Sequence, residues 1–307
     1  MSRIAIIGGG LMGHGIALTF ARAGHRVAVT DPMPEALASV PQRVAESLDL
    51  LGASAPETEA ALGQVDLCAT VEEAVGDAAY VFEAAPEKLE LKQALFAQIE
   101  AAAPQDAVLA SNTSVIQISK IMAGLKARQR ALGTHWWNPP HMIPLVEVVK
   151  TEWTDPAVAQ DMFDLLGAAG KTPVMVEKDV PGFIGNRLQH ALWREAISLV
   201  ENGICTAEAV DNVVKASFGR RLAVLGPLEN ADLVGVELTK DIHHQVLFDL
   251  DRQTAPSPYL DELLNEGRTG MVANAGFRDW KDGDLEATKE RVAAHLRNLE
   301  KILPKNR

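Results

Sequence analysis

His135 and Glu147 lie twelve residues apart, the glutamate inside the apolar run Leu145-Val146-Glu147-Val148-Val149. A carboxylate in the middle of an apolar strand is costly unless it is partnered. A histidine one strand back is its natural partner. The carboxylate would orient the imidazole and stabilise its charged form, as a general base requires. A satisfied core histidine beside an incidental strand glutamate fits the same pattern. Ser111-Asn112-Thr113-Ser114 follows another apolar run. Substrate-side polar groups gather at such positions in open α/β sheets, and a helix N-cap cluster has the same composition. His14, His25, His141, His190, His243, His244 and His295 show no ligand spacing, so no metal is expected.

Gly8-Gly9-Gly10-Leu11-Met12-Gly13 follows the first apolar run and opens an amphipathic one. Gly8 allows a tight turn, Gly10 lets a pyrophosphate approach the backbone, and Gly13 lets the helix pack close. The helix N-terminus at Leu11 and Met12 supplies amide donors and positive potential. A glycine turn with a purely structural role has the same composition. Asp31, 18 residues beyond Gly13, closes the second strand, where an acid accepts hydrogen bonds from the adenosine ribose. It would repel a 2′-phosphate, and no basic residue follows until Arg43, which favours NAD over NADP.

The elements that must position these groups alternate up to about Lys150. Arg3–Gly8, Arg26–Thr30, Tyr80–Phe82 and Ala107–Ala110 read as strands, and Leu11–Ala23, Pro34–Leu51 and Lys88–Ala102 as helices. This alternation predicts a parallel, doubly wound α/β sheet. Strands at Leu145–Lys150 and Pro173–Glu177 flank a helix opened by Asp155-Pro156. From Pro181 the pattern is helical: Pro181 to about Asn202, Ala207–Ser217, Glu229–Leu250, Tyr259–Glu266 and Asp284–Leu303. Two domains follow, 1–180 and an all-helical 181–307. The long helix presents Phe183, Leu188, Leu192, Ile197 and Val200, more apolar surface than a small domain covers, which predicts a homodimer.

With 29 basic and 41 acidic residues the 307-residue chain carries a net charge of −12, without the basic footprint that nucleic acid or an anionic membrane demands. Cys68 and Cys205 stand far apart and suit a reducing cytosol. Ile4–Ala21 is uncharged and superficially resembles a leader peptide, but its five glycines and a histidine would weaken the required apolar helix. The expectation is a soluble, unprocessed cytoplasmic protein.

Six ordered segments carry a resemblance to the 3-hydroxyacyl-CoA dehydrogenase family over almost the whole chain. They are Gly8–Gly13, 81–87 (Val-Phe-Glu-Ala-Ala-Pro-Glu), Ser111–Ser114, His135–Pro139 with Glu147, 179–187 (Asp-Val-Pro-Gly-Phe-Ile-Gly-Asn-Arg) and 226–229 (Gly-Pro-Leu-Glu). The resemblance implies a Rossmann-type domain followed by a helical C-terminal domain, with NAD as cofactor. It implies that His135 is the general base and Glu147 its orienting partner, with Ser114 and Asn186 bonding the reacting oxygen and the histidine's surroundings. Glu87, Lys92 and Asn138 would line the nicotinamide half of the cofactor site, and Asn112 would join the cofactor-binding set.

Departures from the family pattern bear on the substrate. Where CoA-using members carry lysines, residues 32–65 have none, with Arg43 alone against Glu35, Glu46, Asp49, Glu57 and Glu59. That is a poor surface for a polyanionic carrier. Trp136-Trp137 replaces the usual Phe-Phe, and two bulkier rings predict a smaller pocket beside His135. The family's Lys-Thr-Gly-x-Gly-Phe-Tyr tail has become Val272-Ala273-Asn274-Ala275-Gly276-Phe277-Arg278. The reading is oxidation of a small free hydroxy acid, with an acyl-CoA ester as the alternative and a non-catalytic NAD-binding protein as a third. A 6-phosphogluconate-type dehydrogenase would need a lysine four residues before Asn186, where Gly182 stands.

Overall fold

A computed structural model describes residues 1–303. In chain order the elements are β1 (Arg3–Ile7), α1 (Leu11–Arg22), β2 (Arg26–Thr30), α2 (Pro34–Ala38), α3 (Val40–Leu50), α4 (Ala55–Leu62), β3 (Val65–Leu67), α5 (Val71–Val75), β4 (Tyr80–Glu83), α6 (Leu89–Ala102), β5 (Val108–Ser111), α7 (Ile118–Ile121), β6 (Ala131–Trp136), β7 (Leu145–Val149), α8 (Pro156–Ala168) and β8 (Thr172–Val176). Helices α9 (Gly185–Glu201), α10 (Ala207–Ala216), α11 (Pro227–Val234), α12 (Val236–Val246), α13 (Pro258–Asn265) and α14 (Asp284–Ile302) follow.

The eight strands form one sheet in the order β3-β2-β1-β4-β5-β6-β7-β8. Every neighbouring pair is parallel except β6 and β7, which run antiparallel. The fully parallel expectation fails there for a reason of length. Only residues 137–144 separate these two strands, and a parallel return needs a crossover of a dozen or more. Alternation along the strands feeds two cores. Ile4, Ile6, Val29, Phe82, Leu132 and Trp136 pack with α1, α3 and α8 on one face. Ala5, Ile7, Val81, Leu109 and Val149 pack with α5, α6 and α7 on the other. The same parity turns Glu83, Ser111, His135 and Glu147 toward the second face.

Three long helices of the sequence reading are shorter. Pro34–Leu51 breaks at Ser39, because Pro41 lacks an amide hydrogen and sits in the first turn of a new helix. Pro181–Ile184 is a turn, with Gly182 at φ 74° and Phe183 at φ 50°, so α9 starts only at Gly185. Glu229–Leu250 divides at Gly235, φ 99°. Phe183, expected on an associating surface, is 1% exposed in the second core.

The chain separates into two compact units, Met1–Arg187 and the part from Leu188 on, so the boundary falls inside α9. In the second unit α9 to α12 carry no buried residue, and Leu263 of α13 is its only buried apolar side chain among the described residues.

Candidate active site

The glycine turn is built as its sequence demands. A Cβ on Gly13 would stand 1.7 Å from the Gly8 carbonyl oxygen, and one on Gly8 (φ 108°) would stand 2.7 Å from that of Ala84. A Cβ on Gly10 would meet nothing within 4 Å. The loop is therefore pressed between β1, α1 and β4, with open space at Gly10, beside the N-terminus of α1. These residues fit a dinucleotide. Asp31 lies on the β2 side, where Oδ2 accepts from the Gly9 N–H at 2.8 Å and Oδ1 from the Met33 N–H at 2.8 Å.

Arg43 is a residue whose role the sequence does not reveal. From α3 its guanidinium donates to the Gly9 carbonyl and, at 3.2 Å, to that of Ala36. His14, in the first turns of α1, has Nδ1 3.1 Å from the Gly10 carbonyl and Nε2 3.3 Å from Ser47 Oγ. Burial lowers its pKa below the ordinary histidine value.

Across the sheet from Asp31, the ends of β4 and β5 hold a buried polar network. Glu83 Oε1 lies 2.7 Å from Lys92 Nζ and accepts from the Ala85 N–H at 2.7 Å, while Oε2 accepts from Ser111 Oγ at 2.6 Å. Glu83 and Lys92 are 0% and 1% exposed, so the ammonium is spent inside the fold. Lys92 also lies 3.5 Å from Glu87 Oε2, whose side chain is 37% exposed. Glu87 Oε1 accepts from Thr113 Oγ1, from the Ser114 N–H at 3.2 Å and from the Val115 N–H at 3.3 Å. Burial pushes the Glu87 carboxyl up. The Thr113 hydroxyl, the Lys92 ammonium and the two backbone N–H groups outweigh it and leave the pKa below the usual range.

His135 and Glu147 stand opposite each other in the β6–β7 register, with Nδ1 and Oε2 2.7 Å apart. Both are almost fully buried, at 4% and 1%. The other carboxylate oxygen accepts from the Ile184 N–H at 2.8 Å and the Gly185 N–H at 3.0 Å, so the turn into α9 clamps the glutamate. Burial pushes the Glu147 carboxyl up, but the hydrogen bond from His135, those from Gly185 and Ile184, and the charge of His135 hold it below the ordinary value. The carboxylate stays ionised and fixes the ring with Nε2 turned away from it.

Polar residues of the resemblance tie together the segments that flank this pair. Asn112 Oδ1 accepts from the Trp136 N–H at 3.0 Å, tying the end of β5 to β6. Asn186 Nδ2 donates to the Ser114 carbonyl at 2.8 Å. Asn138 is exposed two residues past the end of β6. Trp137 packs against the His135 ring with centroids 5.3 Å apart, and Phe183 does so at 5.6 Å. Trp136 does not narrow any pocket beside His135. Parity sends it to the opposite face, against Phe20 at 5.8 Å and Phe82 at 6.3 Å.

The chain is similar to known proteins along most of its length. The family description "3-hydroxyacyl-CoA dehydrogenase, NAD binding domain" matches residues 3–180, and the corresponding C-terminal domain matches 182–280. The 5-formyl-3-hydroxy-2-methylpyridine 4-carboxylate 5-dehydrogenase of Mesorhizobium japonicum is 36% identical over 98% of this chain and 97% of its own. An L-carnitine dehydrogenase of Nocardiopsis dassonvillei is 38% identical over 76% of this chain and 71% of its own. The crystal structure of a 5-formyl-3-hydroxy-2-methylpyridine 4-carboxylic acid 5-dehydrogenase, described as an NAD+-dependent dismutase, superposes with a TM-score of 0.90 at 33% identity, over 98% of each chain. No helix among the described residues is long and apolar enough to cross a membrane. With the glycine cradle, the acidic β2 terminus and the buried His–Glu pair in one sheet, the chain belongs to the 3-hydroxyacyl-CoA dehydrogenase family and is an NAD-dependent dehydrogenase acting on a CH–OH group.

Proposed function

We propose that this enzyme oxidises the secondary alcohol of a small free hydroxy acid in the cytoplasm, with His135 as general base. NAD supplies the hydride acceptor when bound. Gly8, Gly10, Leu11, Met12 and Gly13 hold the pyrophosphate and Asp31 the adenosine ribose. Glu87, Asn112 and Asn138, at and beyond the ends of β4, β5 and β6, would line the nicotinamide half, with Lys92 bracing Glu87. His135 Nε2 takes the hydroxyl proton as the carbinol hydride departs with its electron pair. Glu147 keeps the ring oriented and stabilises the imidazolium. Ser114 and Asn186 bond the reacting oxygen.

The observation that carries the substrate class is the placement of Arg43. It is the single basic residue of 32–65, and its guanidinium is already bonded to the Gly9 and Ala36 carbonyls. Five exposed acids therefore stand in that stretch with no cation free to meet a carrier's phosphates. Screening over ~8–10 Å at physiological salt weakens this repulsion without removing it. Relatives named for a pyridine carboxylate and for L-carnitine support the same reading.

The test is NADH formation with a panel of free 3-hydroxy acids and their CoA esters. A free acid should show the highest kcat/KM. If 3-hydroxybutyryl-CoA exceeds every free acid by ~10³-fold, about 4 kcal/mol of transition-state stabilisation comes from the carrier and the assignment is wrong.

The second unit supports association into a homodimer. Leu188, Leu192, Leu233 and Ile242 are between 43% and 73% exposed, in helices that bury nothing in a single chain. Sedimentation at micromolar concentration should give twice the mass of one chain, and a monomer contradicts the assignment.

A further inference from the structure

We propose that Glu87 biases this enzyme toward the oxidised cofactor by placing one uncompensated negative charge at the nicotinamide half of its site. The inference rests on the reading that the nicotinamide half lies over the ends of β4–β6. The fold supports that placement. Asp31 flanks the glycine loop on the β2 side, and the chain at Ala84 presses against Gly8 on the β4 side, so a dinucleotide leaving the loop away from Asp31 crosses the segment that ends in Glu87.

Charge bookkeeping along that segment gives the sign. Glu83 and Lys92 form a buried 2.7 Å pair and cancel. Lys92 lies further, 3.5 Å, from Glu87, whose carboxylate is the one member of the network that reaches the surface. The next charges along the chain, Lys88 and Glu90, are exposed and opposite in sign. Two carboxylates against one ammonium leave the network with a net charge of −1. The nicotinamide ring of NAD+ is positive and that of NADH is neutral. A fixed negative charge beside it therefore stabilises the oxidised form selectively. The Thr113 hydroxyl and the Ser114 and Val115 N–H groups hold the carboxylate in place, so its charge cannot swing away.

The consequence concerns chemistry as well as binding. Oxidising an alcohol needs NAD+ to load in the presence of NADH, and a charge of this sign favours that exchange. Asp31 carries the same charge but belongs to the adenosine end, which is identical in both redox forms. It should strengthen both equally.

The experiment is titration of the full-length protein with NAD+ and with NADH, and the quantity read is Kd(NAD+)/Kd(NADH). Glu87→Gln should raise this ratio about tenfold, the order expected when one unit charge is removed beside a partly buried site. Glu87→Ala, which places no demand on the hydrogen bonds around it, should shift the ratio in the same direction. Glu87→Asp should leave it within ~2-fold. Asp31→Asn should weaken both forms with the ratio unmoved. A ratio that stays within ~2-fold in both neutral variants at Glu87, or moves as far in Asp31→Asn, overturns the proposal. Neither constant involves a hydroxy acid, so the substrate assignment stands or falls separately on the panel above.

Discussion

His135→Ala is expected to lower kcat by at least ~10²-fold while leaving the NAD dissociation constant nearly unchanged, the signature of a lost general base. The structure explains why the fold should tolerate the change. Glu147 loses its 2.7 Å partner but keeps the Ile184 and Gly185 N–H bonds on its other oxygen, so the buried charge is not stranded. The glycine cradle and Asp31 lie at the ends of β1 and β2, three and four places along the sheet from β6, and should bind cofactor as before. Steady-state kinetics with cofactor titration separates the two effects. A kcat within tenfold of the parent removes His135 from the chemistry.

The largest expected loss of stability lies at Lys92. Lys92→Met leaves Glu83 buried with its charge uncompensated, and breaking a buried pair in this way costs roughly 3–5 kcal/mol. Glu83 would retain the Ala85 N–H and the Ser111 hydroxyl, which offset part of the loss. The double variant Lys92→Met with Glu83→Gln removes both charges and should recover most of it, because neutral replacements of a buried pair are often tolerated. Denaturant unfolding of the parent, the single and the double variant measures this directly. A single-variant loss under ~1 kcal/mol means that the pair contributes little.

The parts of this molecule legible in its sequence are those with local causes. Gly13 declares itself because it answers a steric need five residues back, the 1.7 Å approach to the Gly8 carbonyl. Glu147 was legible as an anomaly, a charge in an apolar strand, and the anomaly pointed to His135. Other features were written in the sequence but need a second rule. Parity alone separates Trp136 from Trp137, and the short 137–144 connection already requires an antiparallel partner for β6. Pro41 and Gly235 mark helix breaks that hydrophobic periodicity runs straight across. Periodicity likewise carries a helix through Pro181–Ile184, where Phe183 takes a left-handed backbone and turns into the core beside His135.

What the sequence withheld depends on contacts between distant elements. Arg43 reads as a surface cation until α3 is seen to lay its guanidinium on Gly9, 34 residues away. Lys92 reads as a cofactor contact; what the sequence does not show is that its ammonium, 1% exposed, braces Glu83 and Glu87. Asp179 carried no chemical signal, yet its carboxylate accepts from the Ile118 and Ser119 N–H groups at 3.0 and 2.7 Å, pinning the segment after β8 to α7.

The account stands on His135 and Glu147 acting as one acid–base unit, and a double-mutant cycle in kcat tests that most directly. His135→Ala and Glu147→Gln should each be severe. The double variant should be little worse than His135→Ala alone, because the glutamate has no ring left to orient. Losses that simply multiply in the double variant would show two independent residues and contradict the account.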